Sequence, residues 1–384
     1  MKDYRWLNLA IAFALSICLS IGLSKVLATN SNSDYDWNLP TWMPKPVIPK
    51  DNPMTAAKVE LGRHLFYQKR LSITGNFACA SCHQQSLAFT DGKKVGIGAT
   101  GESHPRNSMG LTNIAYNSVL TWANPLQQRL ETQALIPLFG EHPLEMGMAG
   151  KEEEIVNFLK NDAKYRQMFT TAFSDRPNPI SIKNLTKAIA CFERTLISFN
   201  SPYDRYRYGG NSQAISEAAK RGEKLFNSER LECFHCHGGI NFSDSLKHER
   251  LAFTEIAFHN TGLYNLDGKG AYPPNNTGVY ELTHQPKDMG RFKAPTLRNI
   301  ALTAPYMHDG SIATLEEAID HYQAGGRTIN KGKWAGVGSK NPYKSEFIPG
   351  FKLTSPEKSD LLAFLDSLTD REFINNPVFA DPDS

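Results

Sequence analysis

Four of the six cysteines fall in two matched units: "CASCH", with Cys79, Cys82 and His83, and "CFHCH", with Cys233, Cys236 and His237. The spacing has a chemical meaning. Two thiols three residues apart add to the two vinyl groups of one haem, and the adjoining histidine then reaches the iron from the same side. A zinc site built from all four thiols, or a redox disulfide, is the competing reading. Neither explains why histidine follows both pairs directly. Cys191, in "AIACFERTLISF", has no partner of this kind and reads as a buried apolar cysteine on a helix.

Two c-type haems need a scaffold, and the chain repeats one. "AAKVELGRHLF" at 56–66 and "SEAAKRGEKLF" at 216–226 share glycine, two polar residues and Leu-Phe, and each precedes a haem motif. The periodicity of these stretches, and of "KEEEIVNFLKND", "IKNLTKAIACFERTLISF" and "SPEKSDLLAFLDSL", predicts helices. The expected fold is mainly α: two cytochrome c-like haem domains with long loops, one spanning 51–200 and the other 201–372, followed by a tail at 373–384. "TLEEAIDHYQAGG", residues 314–326, reads as a helix that ends at Gly325 and carries Tyr322 in its last turn.

Residues 1–28 begin weakly basic and then carry no charge from Trp6 to Ser24. This pattern reads as an export signal, with an uncleaved N-terminal anchor as the alternative. Either places the catalytic part in the periplasm, soluble after cleavage or tethered. Covalent haem attachment suits such a compartment, where clustered free thiols oxidise. Residues 29–50, rich in Ser, Asn and Pro, read as a tether from which Trp37, Trp42 and Met43 can pack on the first domain. The net charge of +3, from 42 basic and 39 acidic residues, gives no support to nucleic-acid binding.

Beyond the haem motifs, "AFTDG" at 88–92, "PRN" at 105–107, "QALIPLFGEHPLEMG" at 133–147, "FERTLISFNSPYDRY" at 192–206 and "FKAPTLRNIALTAPYMHDGSIATLEEAI" at 292–319 occur in order. Together they resemble the bacterial dihaem cytochrome c peroxidase and MauG superfamily across almost the whole exported chain. "RNSMGLTNIAYNSVLTWANP" and "FGEHPLEMG" are most similar to the branch of dihaem oxidases associated with methanobactin gene clusters. Its characterised activity is oxidation of a tryptophan on a copper-binding partner to kynurenine.

The resemblance implies roles residue by residue. The His83 haem is where hydrogen peroxide reacts, and the His237 haem is the second redox centre. Glu145 becomes the catalytic carboxylate, Gln133 the distal glutamine, Pro137 the pocket proline and Trp122 the tryptophan between the haems. A calcium ion would map to Asn107, Thr303 and Pro305. Tyr322 falls where peroxidases of the family place an axial methionine and MauG an axial tyrosine. A thioether favours ferrous iron, whereas a phenolate stabilises ferric and higher-valent iron.

From the residues alone, His142 and Glu141 compete with Glu145 as proton carrier, since a carboxylate above the iron must move one proton between the two peroxide oxygens. His104, in "ESHPRN", is the nearest histidine that would close the His83 iron, and the expectation is an open site with His104 in a loop. Tyr306, Met307, His308, His321 and Met289 compete with Tyr322 as iron ligand. Trp334 is an electron-exit residue or an ordinary loop aromatic.

Two functions follow from the resemblance. One is a peroxide-dependent oxidase that modifies an exported, copper-binding partner protein at tryptophan through a bis-ferryl-type state. The other is a peroxidase fed by a small redox protein, a cytochrome c or a cupredoxin. A dihaem shuttle without chemistry leaves "HPLEMG" unexplained.

Overall fold

The helix Ala56–Tyr67 starts where the Thr55 side chain accepts the N–H of Lys58, and it buries Leu61, Gly62, Leu65 and Phe66. That face lies on the helix Ile182–Arg194, whose inward side is buried from Asn184 to Arg194. Gly62 sets the approach. A Cβ there would stand 2.0 Å from the Ala188 carbonyl oxygen and 2.9 Å from Phe192 Cβ. The second repeat does the same: Glu217–Phe226 packs on Ser355–Asp366, and a Cβ on Gly222 would stand 2.0 Å from the Asp360 oxygen and 2.8 Å from Phe364 Cβ. The shared glycine of the two phrases is therefore the crossing point of two equivalent helix pairs.

These coordinates, a computed structural model, describe residues 35–383. The proposed export segment and residues 29–34 of the expected tether lie outside the described residues. Trp37–Ser384 forms one compact unit. The fold is mainly helical. Among the described residues the only sheet is a two-residue antiparallel pair, Thr328–Ile329 with Gly336–Val337, which brackets Trp334.

One apolar core gathers Leu61, Leu65, Phe169, Leu185 and Ile189, and another gathers Phe226, Phe242, Ile319, Phe364 and Leu368. A third joins Phe66, Phe89 and Phe192 to Phe373 and Phe379. Residues beyond 372, expected only as a tail, are thus folded back. Gln85 Nε2 donates to the carbonyls of Phe373 and Asn376, and the Tyr67 hydroxyl donates to that of Phe379. At the other end, Trp42 stacks on Tyr208 with centroids 3.9 Å apart, and Met43 is buried against Tyr116 and Phe199. The 37–50 stretch is docked through these side chains.

A second internal repeat lies at the centre: "LTNIAY" at 111–116 and "LRNIAL" at 297–302. Asn113 (φ 57°) and Asn299 (φ 60°) each adopt the left-handed conformation that asparagine tolerates, and each starts a short 3₁₀ turn. Both amides converge on Ser198. Asn113 Oδ1 accepts its N–H at 2.7 Å, and Asn299 Nδ2 donates to its hydroxyl at 3.0 Å.

Adding a methyl at either crossing forces the helices apart. Gly62→Ala and Gly222→Ala are each expected to lower unfolding stability by about 1–3 kcal/mol, measured by denaturant titration of the haem-loaded protein. An unchanged midpoint in either variant would show that its crossing is not tightly packed.

Candidate functional site

Each CxxCH unit is a single helical turn. Cys79–Cys82 and Cys233–Cys236 project both thiols to one side, and the N–H of the following histidine closes the turn on the first cysteine's carbonyl, at 3.0 Å for His83 and 2.9 Å for His237. The imidazoles are fixed alike. His83 Nδ1 donates to the Phe89 carbonyl at 2.9 Å, and His237 Nδ1 to that of Phe242 at 3.2 Å. Both carbonyls come from residues with positive φ, 62° and 49°. With Nδ1 committed, Nε2 is left as the donor for a metal.

The two units open into different cavities. They therefore do not assemble the four-thiol zinc site. Burial pushes the thiol of Cys82 up to about 11 and that of Cys233 up to about 12. Two thiols and a pre-oriented imidazole on the wall of a large cleft fit a covalently attached haem in each half.

The first cavity is lined by Cys79, Cys82 and His83 on one side, and by Gln133, Pro137, Glu145 and Trp122 elsewhere. Gln133 ends the short helix Leu130–Gln133, and Pro137 sits in Leu135–Phe139. Glu145 follows an exposed turn in which Glu141 pairs with Leu144. Glu141 and His142 are themselves exposed and do not line the cavity, so Glu145 is the carboxylate the fold presents. About a third of its side chain is uncovered (37%). The surrounding protein desolvates the carboxyl and raises its pKa to about 7, where it exchanges protons readily near neutrality.

His104, the histidine nearest in sequence to close this iron, and Glu193, which no motif singles out, also line this cavity. Glu193 is buried on the helix face that carries Ile189, and desolvation raises its carboxyl to about 8. His104 was read as a loop histidine. Only its spacing from Glu145 across a folded loop brings it inward, and no local motif encodes that.

The second cavity is lined by Cys233, Cys236 and His237 and by Tyr322. The helix Leu315–Gln323 that carries Tyr322 is held at its start by a Thr314–Glu317 capping box. Lys358 ties it to Ser355–Asp366 through Glu316 at 3.0 Å and Asp320 at 2.7 Å. Burial, with the Cys236 and Cys233 sulfurs nearby, pushes the Tyr322 phenol well above its usual range. Tyr306, Met307 and His308 line the same cavity, whereas His321 and Met289 do not.

Trp122 lines both cavities and a third, smaller one between them, where Asn107, Thr303 and Pro305 meet. Its indole N–H donates to the Asn107 carbonyl at 2.9 Å, and its own carbonyl accepts the N–H of Lys293 at 2.8 Å. The Asn107 amide nitrogen donates to the Lys93 carbonyl at 2.7 Å, which leaves its side-chain oxygen as a hard donor of the kind calcium takes.

Comparison with known proteins gives a consistent result. The family model described as di-haem cytochrome c peroxidase matches residues 56–213. The methylamine utilization protein MauG of Methylophilus methylotrophus is 35% identical over 83% of this chain and 84% of its own. The cytochrome-c peroxidase IdrP1 of Pseudomonas sp. (strain SCT) is 34% identical over 92% of each. A solved structure, that of a MauG-like protein associated with microbial copper homeostasis, superposes with a TM-score of 0.89 at 50% identity, covering 91% of this chain and 100% of the other. Shared sequence over nearly the full length, together with the paired clefts, shows that the chain belongs to the dihaem cytochrome c peroxidase and MauG family and is a haem-dependent oxidoreductase.

Proposed function

We propose that this enzyme uses hydrogen peroxide to oxidise a side chain on an exported partner protein, tryptophan to kynurenine on a copper-binding protein, and that it works in the periplasm. The observation that carries the reading is Tyr322 on the wall of the His237 cleft, where the peroxidases of the family use methionine. The copper association of the 50% identical relative supports the nature of the partner.

When bound, the haems would supply the redox chemistry that stores the two oxidising equivalents of peroxide. The chain's own residues do the rest. His83 and His237 would ligate the haem irons, with ring orientation set by the Phe89 and Phe242 carbonyls. Glu145 takes a proton from the inner peroxide oxygen and gives it to the outer one, which leaves as water. Gln133 and Pro137 shape the distal side. Trp122, touching both clefts, carries the electron exchange between them. With a haem bound, Tyr322 would supply a hard oxygen ligand; burial raises its phenol well above the usual range. A calcium ion at Asn107, Thr303 and Pro305 would brace the carbonyl that orients Trp122.

Trp334 sits at the tip of the two-stranded turn with Lys333 Nζ 4.5 Å above its ring, a half-buried position suited to an electron exit toward a docked protein. The second reading, a peroxidase fed by a small cytochrome c or cupredoxin, draws on the IdrP1 peroxidases, which match over as much of the chain.

One equivalent of peroxide added to the ferric protein is expected to change the spectra of both haems without prior reduction. Tyr322→Met should raise the potential of the second haem and make reduction a prerequisite. If wild type also needs reduction and the substitution leaves the resting spectrum unchanged, the peroxidase reading stands instead.

A second outcome follows from Glu145. Its carboxyl must be ionised to accept a proton, and its pKa lies near 7. The rate of the peroxide reaction should therefore rise about tenfold from pH 6 to pH 8, and Glu145→Gln should lower it by about 10²-fold or more. Stopped-flow mixing with peroxide across that range gives both numbers.

A further inference from the structure

The loop "GIGATGESH", residues 96–104, closes over the carboxyl of the first cleft. Ile97 and Ser103 form an antiparallel bridge, and the N–H of Ala99 donates to the Glu145 carbonyl at 2.7 Å. Gly98 lies flat against the same segment: a Cβ there would stand 2.0 Å from the Leu144 carbonyl oxygen and 3.1 Å from that of Glu145. His104 ends the loop, its N–H bonded to the Gly96 carbonyl at 2.9 Å. Its side chain is 14% exposed and points Nδ1 to within 3.8 Å of Glu145 Oε1.

That separation is longer than a hydrogen bond. Hydrogen bonds of this type are commonly long before the reacting molecule is present and shorten when it binds. Burial holds the imidazole below its ordinary range, so it is neutral at pH 7. A neutral ring carries one N–H, which the Leu144 carbonyl beside it can accept. The remaining nitrogen offers a lone pair. Its natural complement is a carboxyl that carries a proton.

We propose that His104 is the positioning partner of Glu145, accepting a hydrogen bond from the carboxyl while it holds the proton taken from peroxide and releasing that bond when the proton passes to the leaving oxygen. The proton count balances: one leaves the inner oxygen, rests on Glu145, and joins the outer oxygen, which departs as water while the haems supply the two electrons. The inference rests on the assignment of Glu145 as the base. Glu102 and Asp91 are the acidic groups that the imidazole feels. Arg106 and Glu193 line the same cleft, but Arg106 is engaged by Glu281 at 2.5 Å and Asn276 at 3.0 Å.

The test follows the infrared band of the protonated Glu145 carboxyl in the haem-loaded ferric protein as pH is raised. The band is assigned by its loss in Glu145→Gln, which separates it from that of buried Glu193. Because His104 favours the protonated form, His104→Ala should lower the midpoint by about one pH unit, a tenfold change in the ionised fraction. His104→Gln keeps an acceptor without a titrating ring and should restore the wild-type midpoint. The midpoint of the stopped-flow pH profile should move in parallel. A midpoint that stays or rises in His104→Ala, or a glutamine that behaves like alanine, overturns the proposal. So does a change of iron coordination on loss of His104, which would make it an iron ligand. If Glu145→Gln leaves the peroxide reaction intact, the base assignment itself fails. If that variant is inactive and His104→Ala is silent, only the role of His104 falls.

Discussion

Among the described residues Arg298 is the most deeply placed charge, with its side chain fully covered, and the His237 cleft depends on where it sits. Its Nη1 meets both oxygens of Asp204 at 3.0 and 2.8 Å, while Nε and Nη2 donate to the Ile240 carbonyl at 2.8 and 2.6 Å. The guanidinium lies 4.4 Å over the Phe199 ring. A buried ion pair is costly to assemble, and removing one partner typically leaves about 3–5 kcal/mol of uncompensated charge. What the pair secures is geometry. It pins the segment after His237 to "TLRN" and to the helix Pro202–Arg207, so that Phe242, two residues beyond Ile240, offers its carbonyl to His237.

From that anchor the rest of the centre is polar and fully bonded. Asn241 Oδ1 accepts from Asn113, Asn113 and Asn299 share Ser198, and Asp370 closes the set by donating its N–H to Asn299. Networks of this kind specify one arrangement because each member is expensive to leave unpaired. In the proposed mechanism the mobile chemistry, protons at Glu145 and electrons through Trp122, thus rests on a frame with little freedom to shift.

Much of this was readable from the chain. The CxxCH units point to haem because thiol addition and axial ligation demand that spacing, and the Leu-Phe repeat points to two related domains, which the fold realises as two equivalent helix pairs. What the glycine in that repeat was for needed coordinates, since only the facing backbone shows that a methyl has no room. The "LTNIAY" and "LRNIAL" echo was visible but has no chemical side-chain pattern; its meaning is a pair of left-handed asparagines. His104 and Glu193 reach the first cleft through long-range folding, which leaves no local trace. Backbone donors such as Pro305 leave none either.

The C-terminal strap carries a consequence of a different sort. Phe373 and Phe379 complete the apolar wall beside Phe89, the residue whose carbonyl holds His83. A polypeptide is made from its N-terminus, so "CASCH" exists some 290 positions before Phe373 and Phe379 that cover it. Until those arrive, the first haem turn lacks its lid on one side. Closure of the first cleft therefore waits on residues made long after its cysteines.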